Sequence, residues 1–462
     1  MRIAALLLLL AGAARGEDYL AAAQGIGDYL VRTAREDGDG RYWAQYEGPG
    51  RDAMGEQHLF PVSLYSGGAG TGIFLLNLHL ATGKKRYLEA ARGVGLRLIN
   101  IAKRAPKGGL CWEGSYERKG RAVPDGTRVG LYNGNAGIGL FLIHLYEATT
   151  EKRFLDAAKG AFERILVEAQ PDGEGVQWLY GSRDIIAGAA GIGLALLESG
   201  RVTKDPRYGE TAGKAARWLL GESETSADGL RWKGYKPYDA GFSHGASGFA
   251  FFLETVGERD GARSAAGWVE SVAVPSGESA ILWRYYPGEP PEGKRQWTFN
   301  GWCHGAPGVV RLFLLLHAHT GEQRYLDLAV RGGGGVRDSL AMDQGEPKFY
   351  NPTYCCGAAG CLETFCDLYQ ATREKRWVKD ARTLADSMLG SMRKVDGVRL
   401  HTAYDESDES ERKHPFVPTG FMHGNAGIGQ ALLRLALLTR GEESKLVLLA
   451  DHPFALPTGE KK

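Results

Sequence analysis

The chain has 462 residues, 43% hydrophobic and 24% charged, an ordinary balance for a globular protein. Its formal net charge of +1 leaves no electrostatic footprint for nucleic acid or for an acidic partner. Glycine is the outlier, with 66 residues, roughly twice the usual share of about 7%. At this length the chain is either several domains or one large repeat fold.

The N-terminus reads Met1-Arg2, an apolar run Ile3–Ala11, then small residues up to Gly16. A short basic start, a short apolar core and small residues describe a secretory signal peptide over residues 1–16, with cleavage after Ala13 or Gly16. The run is too short to span a bilayer, and no other segment reaches transmembrane length. The expectation is a secreted or periplasmic protein with no membrane span once the signal is removed, its residues 17–462 forming a single domain.

In chain order, Asp18–Arg35 has alanine and leucine at helical spacing and ends in a Gly/Asp loop. Gly67-Gly-Ala-Gly70 then opens an apolar helix, Ile73–Ala81, and Tyr87–Arg92 begins an amphipathic one. The pattern returns. Gly134–Gly137 opens Ile138–Tyr146, Gly188–Gly191 opens Ile192–Glu198, and Gly245–Gly248 opens Phe249–Val256. Gly305–Gly308 opens Val309–His317, Gly357–Gly360 opens Cys361–Tyr369, and Gly424–Gly427 opens Ile428–Leu438. Seven copies recur about every 50 to 70 residues, the mark of a stacked repeat.

The first helix of each copy is apolar nearly all round and belongs inside; the second is charged on one face and belongs outside. Asp18–Arg35 supplies an extra outer helix at the start, so the last copy needs none. The predicted fold is all-α, an α/α toroid of seven inner and seven outer helices. Short strands or ordered loops at Gly175–Tyr180, Ile281–Tyr286 and Gly397–His401 close one mouth. Residues just before each first glycine are expected to face a central cavity, where exposed helix N–H groups would favour anions.

Two copies carry cysteine in that register: Gly301-Trp-Cys-His-Gly-Ala-Pro-Gly308 and Tyr354-Cys-Cys-Gly-Ala-Ala-Gly360. Cys303 and Cys355 each stand two residues before a first glycine, and Cys356 fills the slot of His304. Three thiols from consecutive repeats suit one zinc ion, with the fourth position open for water or substrate. A closed zinc site or a vicinal Cys355–Cys356 disulfide are the alternatives. Cys361, Cys366 and Cys111 read as small buried residues. His244, directly before Gly245, is expected to face the cavity, as are His304 and His423, read first as hydrogen-bonded structural histidines. Asp184, four residues before Gly188, reads from its position alone as a helix cap or a functional carboxylate.

The sevenfold Gly-x-x-Gly pattern with Trp-Cys-His-Gly and Cys-Cys-Gly resembles the lanthionine synthetase C-like family over essentially the whole mature chain. That resemblance implies zinc at Cys303, Cys355 and Cys356, a catalytic histidine at His244 and an assisting aspartate at Asp184. It implies addition of a thiol across dehydroalanine or dehydrobutyrine in a dehydrated peptide, or a glutathione-like small thiol as donor. A separate dehydratase would supply the acceptor. The chain departs from the family at Phe299, where bacterial cyclases carry arginine, and in its signal peptide. A non-catalytic peptide- or thiol-binding toroid that keeps zinc for structure is the competing reading. A secreted sugar-processing toroid is another, though its chemistry normally needs two carboxylates.

Overall fold

The computed structural model describes residues 19–43, 62–112, 117–118, 121–122, 129–178, 181–234, 238–288, 292–293, 298, 300–403 and 416–455. The expected signal segment, Phe299 and the charged stretch Asp405–Lys413 lie outside them. Fourteen α-helices occur among the described residues, and every sheet there is a two-stranded antiparallel hairpin. No described helix is long and apolar enough to cross a membrane.

Packing divides the chain into two compact units. The first comprises residues up to Pro61, Tyr65–Arg97 and Phe349–Val447. It holds α1 (19–33), α2 (Gly68–Thr82), most of α3 (Lys85–Ile101), α12 (Ala358–Thr372), α13 (Lys375–Ser391) and α14 (Asn425–Leu438). The second comprises Val62–Leu64, Leu98–Lys348 and Leu448 onward. It holds four helix pairs: α4 (Asn135–Thr149) with α5 (Lys152–Glu168), α6 (Ala189–Thr203) with α7 (Pro206–Gly221), α8 (Ala246–Val256) with α9 (Arg259–Ser271), and α10 (Ala306–Thr320) with α11 (Gln323–Ser339).

Burial separates two helix types, as the apolar pattern requires. In α10 every residue from Ala306 to Leu316 is buried. In α5 the buried set, Phe154, Ala157, Ala158, Ala161, Phe162 and Ile165 among it, follows helical spacing and leaves a charged outer face. The apolar helices pack on one another in order, α4 on α6, α6 on α8 and α8 on α10 in the second unit, and α12 on α14 and α14 on α2 in the first. The extra outer helix is also in place: a Cβ on Gly27 of α1 would meet Leu78 of α2 and Tyr87 of α3.

The helices start earlier than the apolar runs suggested. The first glycine of each motif is the N-cap and the second lies in the first turn. A Cβ on Gly191 would sit 1.9 Å from the Ile185 carbonyl oxygen, and one on Gly248 2.0 Å from that of Phe242. At Gly137, Gly191, Gly248, Gly308 and Gly427 the preceding chain folds so tightly over the first turn of the helix that only glycine fits. That fold-back also consumes the first amides: Ala189, Ala190 and Gly191 donate to the carbonyls of Ser182, Arg183 and Asp184. The expected ring of exposed N–H groups is therefore absent at α6, because its own preceding turn satisfies them.

Successive turns are tied to one another through backbone bonds. Ile185 N donates to Ser243 O and Ser243 N to Cys303 O in the second unit, at 2.9 and 3.0 Å. In the first unit, Cys355 N donates to Met422 O and Met422 N to Tyr65 O, at 2.9 and 2.8 Å. Ser243 and Cys303 in the second unit, and Tyr65, Cys355 and Met422 in the first, each two residues before a first glycine, are thereby held in register, while Ile185 joins from three before Gly188.

The strands are more regular than three isolated stretches. Six hairpins each follow an outer helix, and in five the residue after the second strand is tryptophan. Trp43, Trp112, Trp178, Trp232 and Trp283 donate their indole N–H to Leu30, Leu98, Ile165, Leu219 and Val269 carbonyls at 2.7 to 2.9 Å. Each buried ring thus meets its one polar demand on the preceding helix. The sixth hairpin, Arg393–Val395 with Val398–Leu400, has His401 in that position.

Candidate active site

Two turns of the second unit bring Asp184 and His244 together. The turn 181–188 precedes α6 and the turn 239–245 precedes α8, and the Ile185–Ser243 backbone bond fixes their register. His244 Nδ1 lies 2.6 Å from Asp184 Oδ2. A carboxylate at Nδ1 holds the hydrogen on that nitrogen and leaves Nε2 as the basic atom of the neutral ring. His244 is 42% exposed and Asp184 17%, so the imidazole reaches solvent well beyond its anchor.

Asp184 also caps its own turn, accepting from Ala187 N through Oδ1 at 2.7 Å. One carboxylate thus serves both contacts, Oδ1 on the turn and Oδ2 on His244. Burial would raise its pKa. The hydrogen bond and charge of His244, with the Ala187 and Gly188 amides, outweigh that and hold the carboxyl below its ordinary value.

The pair opens on a cavity of about 470 Å³, lined also by Trp232, Phe249, Tyr285 and His304. His304, from the turn before α10, lies 5.7 Å from His244 between ring centroids. Its Nδ1 is 3.3 Å from Asp239 Oδ2, and Tyr285 packs edge-on against its ring at 4.9 Å. The second unit therefore carries two histidine–carboxylate pairs in one pocket. The sequence reading missed Asp239 and Tyr285. Asp239 had a signal, an acidic residue six positions before Gly245 much as Asp184 precedes Gly188; Tyr285 had none beyond lying in an aromatic stretch.

All six cysteines are thiols. Cys303, in the second unit, is 5% exposed and its carbonyl accepts from Ser243 N at 3.0 Å and Ser243 Oγ at 3.1 Å. Cys355 and Cys356 belong to the first unit, one buried and one half-buried. The three sulfurs are a soft donor set of the kind that holds zinc. Cys355 Sγ accepts from the Tyr65 hydroxyl at 3.4 Å, and that hydroxyl lies 2.7 Å from His423 Nε2. Tyr65 is a further residue the sequence reading passed over, although it stands two before Gly67, in the register of Cys303 and Cys355. Cys361 and Cys366 are fully buried and burial pushes both thiols up, Cys361 to about 12. They are core residues, as expected.

The lanthionine synthetase C-like protein family model matches residues 58–445. Glutathione S-transferase LANCL1 of Danio rerio is 26% identical over 164 residues, 34% of this chain, and the match spans only 37% of that protein's length. Among solved structures, nisin cyclase aligns with a TM-score of 0.55 at 16% identity, covering 82% of this chain and 93% of its own. A sugar epimerase from a ruminal bacterium aligns at 0.51 and 13% identity, covering 90% and 96%. At these identities the structural likenesses speak for the fold, and the all-α, α/α-toroid class read from the repeats holds. With the family model matching 388 of 462 residues, the chain belongs to the lanthionine synthetase C-like family.

Proposed function

We propose that the chain is a zinc-dependent enzyme adding a thiol across the double bond of dehydroalanine or dehydrobutyrine to give a thioether. The observation that carries this reading is the 2.6 Å His244–Asp184 pair on the wall of a cavity in a chain of this family. Cys303, Cys355 and Cys356 are the residues we assign to zinc, on their shared register before consecutive glycine motifs and on their donor chemistry. Bound zinc would supply Lewis acidity that lowers the pKa of a substrate thiol.

The remaining chemistry belongs to the chain itself. Thiol addition forms an S–C bond at the β-carbon, moves the π pair to the carbonyl oxygen, and then needs a proton at the α-carbon. His244 Nε2 can take the thiol proton and return it to carbon, and Asp184 stabilises the imidazolium between those events. The aromatic rings of Trp232, Phe249 and Tyr285 give the cavity apolar walls, which strengthens these charge interactions. The acceptor is a dehydrated peptide, and the donor is a peptide cysteine or a small glutathione-like thiol. A sugar-processing role draws on likeness of fold alone.

The test is metal analysis of the purified chain, followed by mass spectrometry of a dehydroalanine peptide incubated with thiol. Replacing His244 with alanine should keep the zinc and slow addition roughly 10²–10⁴-fold. Cys303→Ala should lose the metal. A wild-type protein that holds zinc but adds no thiol would leave the binding-scaffold reading in its place, and one with neither would overturn both.

A further inference from the structure

The first unit contains a hydrogen-bonded chain that the thiol-addition chemistry does not itself require. Tyr65 stands before α2, His423 before α14 and Cys355 before α12. Backbone bonds from Cys355 N to Met422 O and from Met422 N to Tyr65 O hold the three turns in register. The Tyr65 hydroxyl donates to Cys355 Sγ at 3.4 Å and lies 2.7 Å from His423 Nε2. The two rings also pack together, 5.3 Å between centroids.

A phenol has one hydrogen to give. Spent on the sulfur, it leaves only a lone pair for His423, so Nε2 of that ring must carry hydrogen and donate. The relay then runs one way, from His423 Nε2–H to Tyr65 Oη–H to Cys355 Sγ. A donor aimed at sulfur is strongest when the sulfur is ionised, and each bond in such a chain polarises the next. The arrangement therefore draws charge from Cys355 Sγ.

Charge withdrawal has a chemical consequence at a site that handles electrophilic alkenes. Any thiolate there could itself form an S–C bond to the acceptor's β-carbon, with the α-carbon taking a proton, and so become alkylated. A hydrogen-bonded sulfur is the poorer nucleophile. We infer that Tyr65 and His423 are positioning residues that keep Cys355 a ligand and prevent it from competing with the substrate thiol. This rests on the proposal that Cys355 binds zinc.

The experiment uses the full chain loaded with zinc, as wild type and as Tyr65→Phe. Zinc affinity is read by competition with a chelator, and Cys355 reactivity by iodoacetamide labelling followed by peptide mass spectrometry. Loss of an outer partner of a metal ligand typically weakens metal binding about 10–100-fold. The Tyr65→Phe protein should show that loss together with faster alkylation of Cys355. His423→Leu, which keeps the phenol but removes the donor behind it, should move both readouts the same way and serves if Tyr65→Phe does not fold. Zinc affinity and labelling rate equal to wild type in a folded Tyr65→Phe protein would overturn the inference while leaving the zinc proposal standing. A wild-type chain that takes up no zinc would overturn both.

Discussion

His401 offers a test in which sign and size both follow from its surroundings. It replaces the tryptophan that closes five other hairpins, and the side chain of Asn425 holds its backbone, accepting from His401 N and donating to His401 O at 2.9 Å each. Burial, and secondarily the charge of His423, pushes its pKa down from 6.5 to about 4. The folded state thus refuses a proton that the unfolded chain accepts between those values. Stability contributed by the neutral ring is complete above pH 6.5 and lost as pH falls toward 4. Over the whole window the loss amounts to about 3 kcal/mol, of which about 2 kcal/mol is gone by pH 5. His401→Gln removes the titration and leaves the Asn425 clamp on the backbone intact. Urea unfolding of both proteins at pH 8 and pH 5, in buffered zinc, should show the variant losing about 2 kcal/mol less than wild type on acidification. Equal losses would mean that His401 is solvated or already charged in the folded protein, and the reasoning from its burial would fail.

Other substitutions probe the frame and the dyad. Asp184→Asn should leave zinc in place yet slow thiol addition by about 10²-fold or more, because the ring loses the charge that stabilises its protonated form; steady-state kinetics with a dehydroalanine peptide would read it. Gly191→Ala must place a methyl 1.9 Å from the Ile185 carbonyl oxygen, so the turn carrying Asp184 has to shift, at a cost of about 3 kcal/mol or more, visible in urea unfolding. Trp232→Phe removes the 2.7 Å bond to the Leu219 carbonyl and should cost about 1–2 kcal/mol, with a smaller pocket wall beside His244 as a second effect on peptide KM.

The repeat was readable because its cause is local. Gly191 and Gly248 must lack a Cβ to let the preceding turn lie on the helix start, and the same demand recurs at Gly137, Gly308 and Gly427. The hairpins were harder to see. Strands of two or three residues give too little alternation to register as a period, and only some of the closing tryptophans stood out as aromatic stretches. Their common signal was the pairing of a Gly-rich turn with a tryptophan a few residues later. The individual polar partners were harder still. Asp239 meets His304 from 65 positions away in sequence, and Tyr65 meets Cys355 across 290. No local pattern encodes such pairs; they exist because the fold brings distant copies of one turn side by side.

That geometry explains how one scaffold gathers its chemistry. The position directly before the first glycine is Ser66, Asn133, Ala187, His244, His304, Cys356 and His423 in successive copies. The position before that is Tyr65, Tyr132, Ile186, Ser243, Cys303, Cys355 and Met422. Backbone bonds between neighbouring turns hold these positions in step, so a substitution at either changes the chemistry offered there without disturbing the helices behind it. The glycine, by contrast, cannot vary, since the close approach that positions the functional side chain leaves no room for a Cβ. A repeat that fixes its backbone with glycine and its register with amide bonds leaves two side chains per copy open to change. In this chain those two columns hold the proposed base His244, all three proposed zinc thiols, and the Tyr65–His423 pair beside one of them.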